Sequence, residues 1–145
     1  MTREDGFGGN NSMNSFNHYA FGSVTNWLMQ CSLGIARDED CPGFQHFYLQ
    51  PLADPTGALQ YAKGHYDSPY GRIESGWEVT ADGVTYRFVV PANTQATLRL
   101  PAKDLKSISL DGNPLPKALA QQASLSNGQV EMPLVAGRYA FKVKK

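Results

Sequence analysis

"VTYRFVV", Val84 to Val90, and "ATLRLP", Ala96 to Pro101, decide the fold class. Val84, Tyr86, Phe88 and Val90 share one face of an extended chain, and Ala96, Leu98 and Leu100 do the same in the second stretch. A period of two with one apolar face marks a half-buried strand, because successive Cβ atoms point to opposite sides of a sheet. "RYAFKV" repeats the pattern, with Tyr139, Phe141 and Val143 on one side and Arg138, Ala140 and Lys142 on the other.

Turn chemistry separates these runs. "ADG" at 81–83, "PAN" at 91–93, "DGNP" at 111–114 and "NG" at 127–128 supply the Asn, Asp, Gly and Pro residues that tight turns require. Further strands are expected at 44–50, 59–66, 72–79, 107–110 and 129–132. About eight short antiparallel strands imply a mainly β fold, a β-sandwich, since a single sheet of this size would leave one apolar face in water.

Upstream the period changes. Ala20, Val24, Trp27, Leu28, Cys31 and Ile35 recur at spacings of three and four, which predicts one long helix over about 17–33, capped by Ser15 or Asn17 and ended by Gly34 in a left-handed conformation. Residues 1–14, "MTREDGFGGNNSMN", have no period and read as a flexible, disordered arm. The expected organisation is thus an arm at 1–14, a helical segment at 15–42 and a sandwich at 43–145. Aromatic residues lie on more than one side of the helix, and a single sandwich can cover only one side. Phe16, Tyr19, Phe21 and Trp27 are therefore expected to form an exposed patch that a neighbouring structure, or a second copy, would cover.

The 145 residues carry 13 Lys plus Arg and 13 Asp plus Glu, a formal net charge of zero. No basic stripe proposes a nucleic-acid partner, and no apolar run is long enough to span a membrane. Cys31 and Cys41 are too few for a disulfide framework and lack zinc-site spacing, so they read as free thiols, with a disulfide and a metal site with His46 as alternatives. The acidic "DEDC" loop reads as solvated, with calcium as the alternative. No cofactor is expected.

"SFNHYAFGSVTNWL" (15–28), "GI" (34–35), "PGFQHFYLQP" (42–51) and "YDSPYGRIESGW" (66–77) together resemble the C-terminal end of bacterial α-L-rhamnosidases. The resemblance covers roughly residues 12–100. It implies a helical segment that is the last helix of an (α/α)6 catalytic barrel, followed by a C-terminal β-sandwich domain. It also implies an inverting glycosidase, with rhamnose-containing glycosides or oligosaccharides as partners and a missing catalytic barrel as a further one. Inverting enzymes use two carboxyl groups about 6.5–9.5 Å apart. Nothing here supplies such a pair, and the resemblance puts the family's carboxylates upstream, so no catalytic residue is assigned.

By the same resemblance His18, in "NHYAFG", faces the bound sugar. A helix N-terminus disfavours the imidazolium, and a neutral imidazole both donates to and accepts from hydroxyls. Asn17 has the same double capability, with helix capping as its alternative, and Tyr19 offers a ring face to sugar C–H groups or packs between helices. His46 and His65 read as structural or exposed, Trp77 as core, and Asp67, Arg72 and Glu74 as turn and outward residues. Three functions remain: a fragment of a rhamnose-releasing hydrolase supplying one wall of the sugar pocket and inactive alone, a free-standing carbohydrate-binding or interaction module, or a purely structural sandwich that braces a neighbouring barrel.

Overall fold

In the computed structural model, residues 20–145 are described, with side chains from Val24 onward. The order is α1 (Ala20–Trp27), a π-helical turn (Leu28–Ser32), β1 (Ile35–Arg37), β2 (His46–Leu49), β3 (Tyr61–Ser68), β4 (Gly71–Thr80), β5 (Gly83–Pro101), β6 (Ile108–Leu110), β7 (Asn113–Pro114), α2 (Lys117–Gln122), β8 (Ser124–Ser126) and β9 (Gln129–Lys144). The fold is mainly β, as the alternating stretches require.

Two strands are long, and they build both layers. β5 and β9 pair antiparallel from Gly83↔Lys144 to Val90↔Gly137, and again from Gln95↔Val135 to Pro101↔Gln129. Between the two blocks Pro91–Thr94 face a single residue, Ala136, so the ladder is bulged and the chain bends there. Asn93 takes φ 61°, and the Thr94 hydroxyl donates to the Pro91 carbonyl across 2.6 Å, fixing the bend. The expected "PAN" turn is thus a bulge inside one strand, and the two short strands on either side of it are one. The same holds for the runs at 129–132 and 138–143.

The two halves recruit different neighbours. β4 pairs with Gly83–Val89 of β5 and β3 pairs with β4, while β6 pairs with the end of β9. On the other half, β2 pairs with Gln95–Leu98, β1 with β2, and β8 with the start of β9. The β2–β5 pairing is parallel, a departure from the all-antiparallel expectation. The cause is the route: the β3–β4 hairpin and the first half of β5 intervene on the other layer, so β5 returns beside β2 in the same direction. β1 brings Ile35–Arg37 into the sheet ahead of Gly43.

The inner faces of both halves meet in one core. Phe47 and Leu49 of β2, Ile73 and Trp77 of β4, Phe88 and Leu98 of β5, and Met132 and Phe141 of β9 are all buried. Three of the turns read from sequence are two-residue hairpins: Ala81–Asp82 joins β4 to β5, and Asp111–Gly112 (φ 50° and 82°) and Asn127–Gly128 (φ 50° and 73°) have the positive φ at both central positions that Asp-Gly and Asn-Gly favour. No helix among the described residues is long and apolar enough to cross a membrane.

Candidate functional site

The helical segment ends on the sandwich through its last carbonyls. A helix C-terminus leaves carbonyl oxygens without intrahelical partners. Here the Trp77 indole N–H donates to Ser32 O across 3.0 Å, and the Ser75 hydroxyl donates to Leu33 O across 2.5 Å. The last turn is widened, with the Leu33 N–H donating to Leu28 O. Gly34 then takes φ 69°, the left-handed cap expected from sequence, and its carbonyl accepts from Gln50 N–H across 2.9 Å. A Cβ at Gly34 would overlap the Gln50–Pro51 backbone, and one at Gly64 would overlap the Leu33 side chain. Glycine at both positions lets the helix end lie directly on β2 and β3.

The rest of the segment is uncovered. Val24 is 57% exposed, Trp27 59% and Leu28 44%, and Cys31 is exposed, whereas Met29, Leu33 and Ile35 pack on the core. The apolar stripe read from sequence therefore exists, and the sandwich covers only its end. Asn17, His18 and Tyr19 lie outside the described residues, as do Phe16 and the arm; of Phe21 the side chain is not described.

The polar residues singled out by sequence are engaged elsewhere. His46 spans Asp38 (Nδ1 to Oδ2, 2.7 Å) and Thr97 (Nε2 to Oγ1, 2.9 Å), with Tyr48 packed edge-on to its ring. The Asp40 amide and then His46 hold the Asp38 carboxyl below the usual range. No cluster of three or more metal-ligating side chains exists among the described residues. Asp67 pairs with Arg72 at 2.9 Å at the β3–β4 turn, which lowers its pKa, while Glu74 stands on the outward face and Trp77 is buried in the core. Asp54, held by Thr56 and the Leu59 amide, and Asp82, held by Lys142, are lowered as well. A general acid at neutral pH needs its carboxyl raised. These four are set the other way.

One concavity was not read from sequence. It lies on the outward face of β3, β4, β5 and β9, has a volume of about 710 Å³, and is lined by Tyr61, Lys63, Glu74, Glu78, Arg87 and Arg138 among others. Each of these looked like an ordinary solvent-facing residue of its own strand. Only the register places them together.

The described residues thus form a bent, mainly β sandwich with a partly exposed apolar helix whose end is bonded to β4. Residues 34–113, more than half of the chain, match the family model of the bacterial alpha-L-rhamnosidase C-terminal domain. The chain belongs to that family. An alpha-L-rhamnosidase of Alteromonas sp. is 31% identical over 132 residues, 91% of this chain and 14% of that protein, and one of Formosa agariphila is 32% identical over 99 residues, 68% of this chain and 10% of that protein. The chain thus aligns with only a small part of its curated relatives. The structure of Streptomyces avermitilis alpha-L-rhamnosidase complexed with L-rhamnose superposes with a TM-score of 0.75 at 26% identity, covering 97% of this chain and 12% of that one. Alpha-L-rhamnosidase from Dictyoglumus thermophilum gives 0.74 at 26% identity, over 92% and 15%.

Proposed function

We propose that this chain supplies one wall of the sugar pocket and the structural sandwich of an inverting glycoside hydrolase that releases terminal α-L-rhamnose, and that it is inactive alone. The observation that carries the reading is the half-covered helix. Its C-terminal end is locked on the sandwich by Trp77 and Ser75, while Val24, Trp27 and Leu28 lie in water, as a helix packed in a barrel would present them once its neighbours are removed. Family membership and the much greater length of the relatives support this reading, in which the neighbour is a catalytic barrel that carries the carboxylates.

In this reading His18 and Asn17 donate to and accept from the rhamnose hydroxyls, and Tyr19 sets a ring against the sugar's C–H face. The helical segment's separate partner, in the absence of a barrel, is a second copy of the chain docked through the same stripe.

The test is complementation. Alone on an aryl α-L-rhamnoside, the chain is expected to show no turnover. Mixed with a bacterial α-L-rhamnosidase truncated before its last barrel helix, it is expected to restore turnover, and His18→Ala should abolish the restoration while leaving the complex intact. Turnover by the isolated chain at the rate of a whole enzyme would contradict the reading.

A further inference from the structure

We propose that the outward face of the β3–β4–β5–β9 layer is a binding groove for a neutral oligosaccharide. The register builds it. Lys63, Gly76, Arg87 and Ala140 form one cross-strand row, and two of its four members have little or no side chain. The flanking rows carry long side chains: Glu74 and Arg138 on one side, with Val89 between them, and Tyr61 and Glu78 on the other. Gly76 and Ala140 leave low points on either side of Arg87, between the flanking rows, and the concavity there, a trench of about 710 Å³, falls within the range of small-ligand sites. A second depression of about 350 Å³ shares Lys63 and Glu74 and continues towards His65 and Arg72, so the trench has room for more than one sugar ring.

Charge selects the occupant. Lys63, Arg87 and Arg138 face Glu74, Glu78 and Asp111, three cations against three carboxylates, so the lining has no net charge. Such a surface gives neither an anion nor a cation a Coulombic advantage. Their pairing is incomplete: Arg87 meets Glu78 at 3.5 Å, and Glu74 and Arg138 make no side-chain hydrogen bond or ion pair among the described residues. A hydroxyl donates to a carboxylate and accepts from a guanidinium at once, so a neutral polyol can engage both kinds of group. Tyr61, 70% exposed at the trench end, offers an apolar ring face to pyranose C–H groups.

The choice of a rhamnose-bearing ligand rests on the proposed function; the trench's neutrality does not. The 145-residue chain is titrated, with backbone amides followed by nuclear magnetic resonance, against a neutral rhamnosyl-glucose disaccharide, xylotetraose and a galacturonate oligomer. Shifts at Gly76, Arg87 and Ala140 are expected with the rhamnosyl disaccharide at millimolar concentration. Arg138→Ala and Glu74→Gln should each weaken them about 10-fold with an unchanged melting temperature. Binding of xylotetraose without the rhamnosyl sugar would uphold the groove and count against the rhamnose reading. Four results overturn the groove: no shifts with either neutral sugar, shifts confined to the helical segment, shifts indifferent to both variants, or tighter binding of the galacturonate oligomer. Shifts of these amides on concentrating the protein alone would also overturn it, by making this face a contact between copies.

Discussion

The indole N–H of Trp77 donates to the carbonyl oxygen of Ser32 across 3.0 Å, joining the middle of β4 to the last turn of the helical segment. The bond lies beside the one from the Ser75 hydroxyl to Leu33 O, and the two residues are neighbours on the inward face of the same strand. Trp77→Phe keeps most of the packing and removes the donor, while Ser32 O retains the Leu52 amide at 3.3 Å. A loss of about 1–2 kcal/mol is expected by chemical denaturation, and a similar loss for Ser75→Ala. Amide hydrogen exchange at Leu28–Leu33 should rise in both variants more than exchange in β9. Unchanged exchange there would show that the helix end is held by something else.

Gly34 and Gly112 share a left-handed backbone, with φ of 69° and 82°, but not their surroundings. Gly112→Ala meets no atom within 4 Å and should cost only the conformational penalty, about 1–2 kcal/mol. Gly34→Ala pushes a methyl group into the Gln50–Pro51 backbone and must displace either β2 or the helix end. A loss of more than about 3 kcal/mol, or failure to fold, is expected. Equal melting temperatures for the two variants would contradict the close approach.

The exposed stripe makes a prediction of opposite sign. Trp27→Gln combined with Leu28→Gln removes apolar surface that touches water, so stability should change by less than about 0.5 kcal/mol. Self-association, followed by sedimentation over a range of concentrations, should fall. The same variant should lose complementation of a truncated rhamnosidase. A large destabilisation would mean that the stripe is packed within the chain.

Acid should destabilise the fold in one direction only. Asp38, Asp54, Asp67 and Asp82 all have folded pKa values below the ordinary aspartate value, owing to the Asp40 amide, Thr56, Arg72 and Lys142 respectively. A carboxyl lowered on folding stabilises at any pH above its unfolded value and loses that contribution as pH falls through its folded value. The melting temperature should therefore be flat near neutrality and drop as pH falls below about 4. Replacing Asp54 and Asp82 with Asn should shrink that drop. At the alkaline end, burial pushes the Tyr86 phenol up to about 12. Its phenolate absorbance should appear late, and stability should decline as pH rises above the ordinary tyrosine value of about 10, where only the unfolded chain ionises.

Local patterns made most strands legible, because alternation reports which face is buried. Val84, Tyr86, Phe88 and Val90 share a face whose last three members lie in the core, as read, and Trp77 is core as expected. The glycine cap at Gly34 was legible from its place after the helical period. Connectivity was not. Pro91 and Asn93 do signal a bend, but no local signal tells whether the ladder resumes beyond it, and here it does. β1 was missed because Ile35, Ala36 and Arg37 are too few to show a period, and the parallel β2–β5 pairing joins segments about fifty residues apart. The trench escaped for a related reason. Gly76 and Ala140 are unremarkable in their own strands and become low points of one concavity only when the register sets them on either side of Arg87.

β5 and β9 run through both layers without interruption of the chain, so neither layer has a separable existence. The sandwich should melt in a single cooperative step. A pull applied at Lys145 would load the long β5–β9 ladder in shear, the direction in which many backbone hydrogen bonds resist together. The helix end, bonded to β4 by Trp77 and Ser75, joins that stiff beam through the β4–β5 pairing, so strain arriving at one end of the molecule reaches the other.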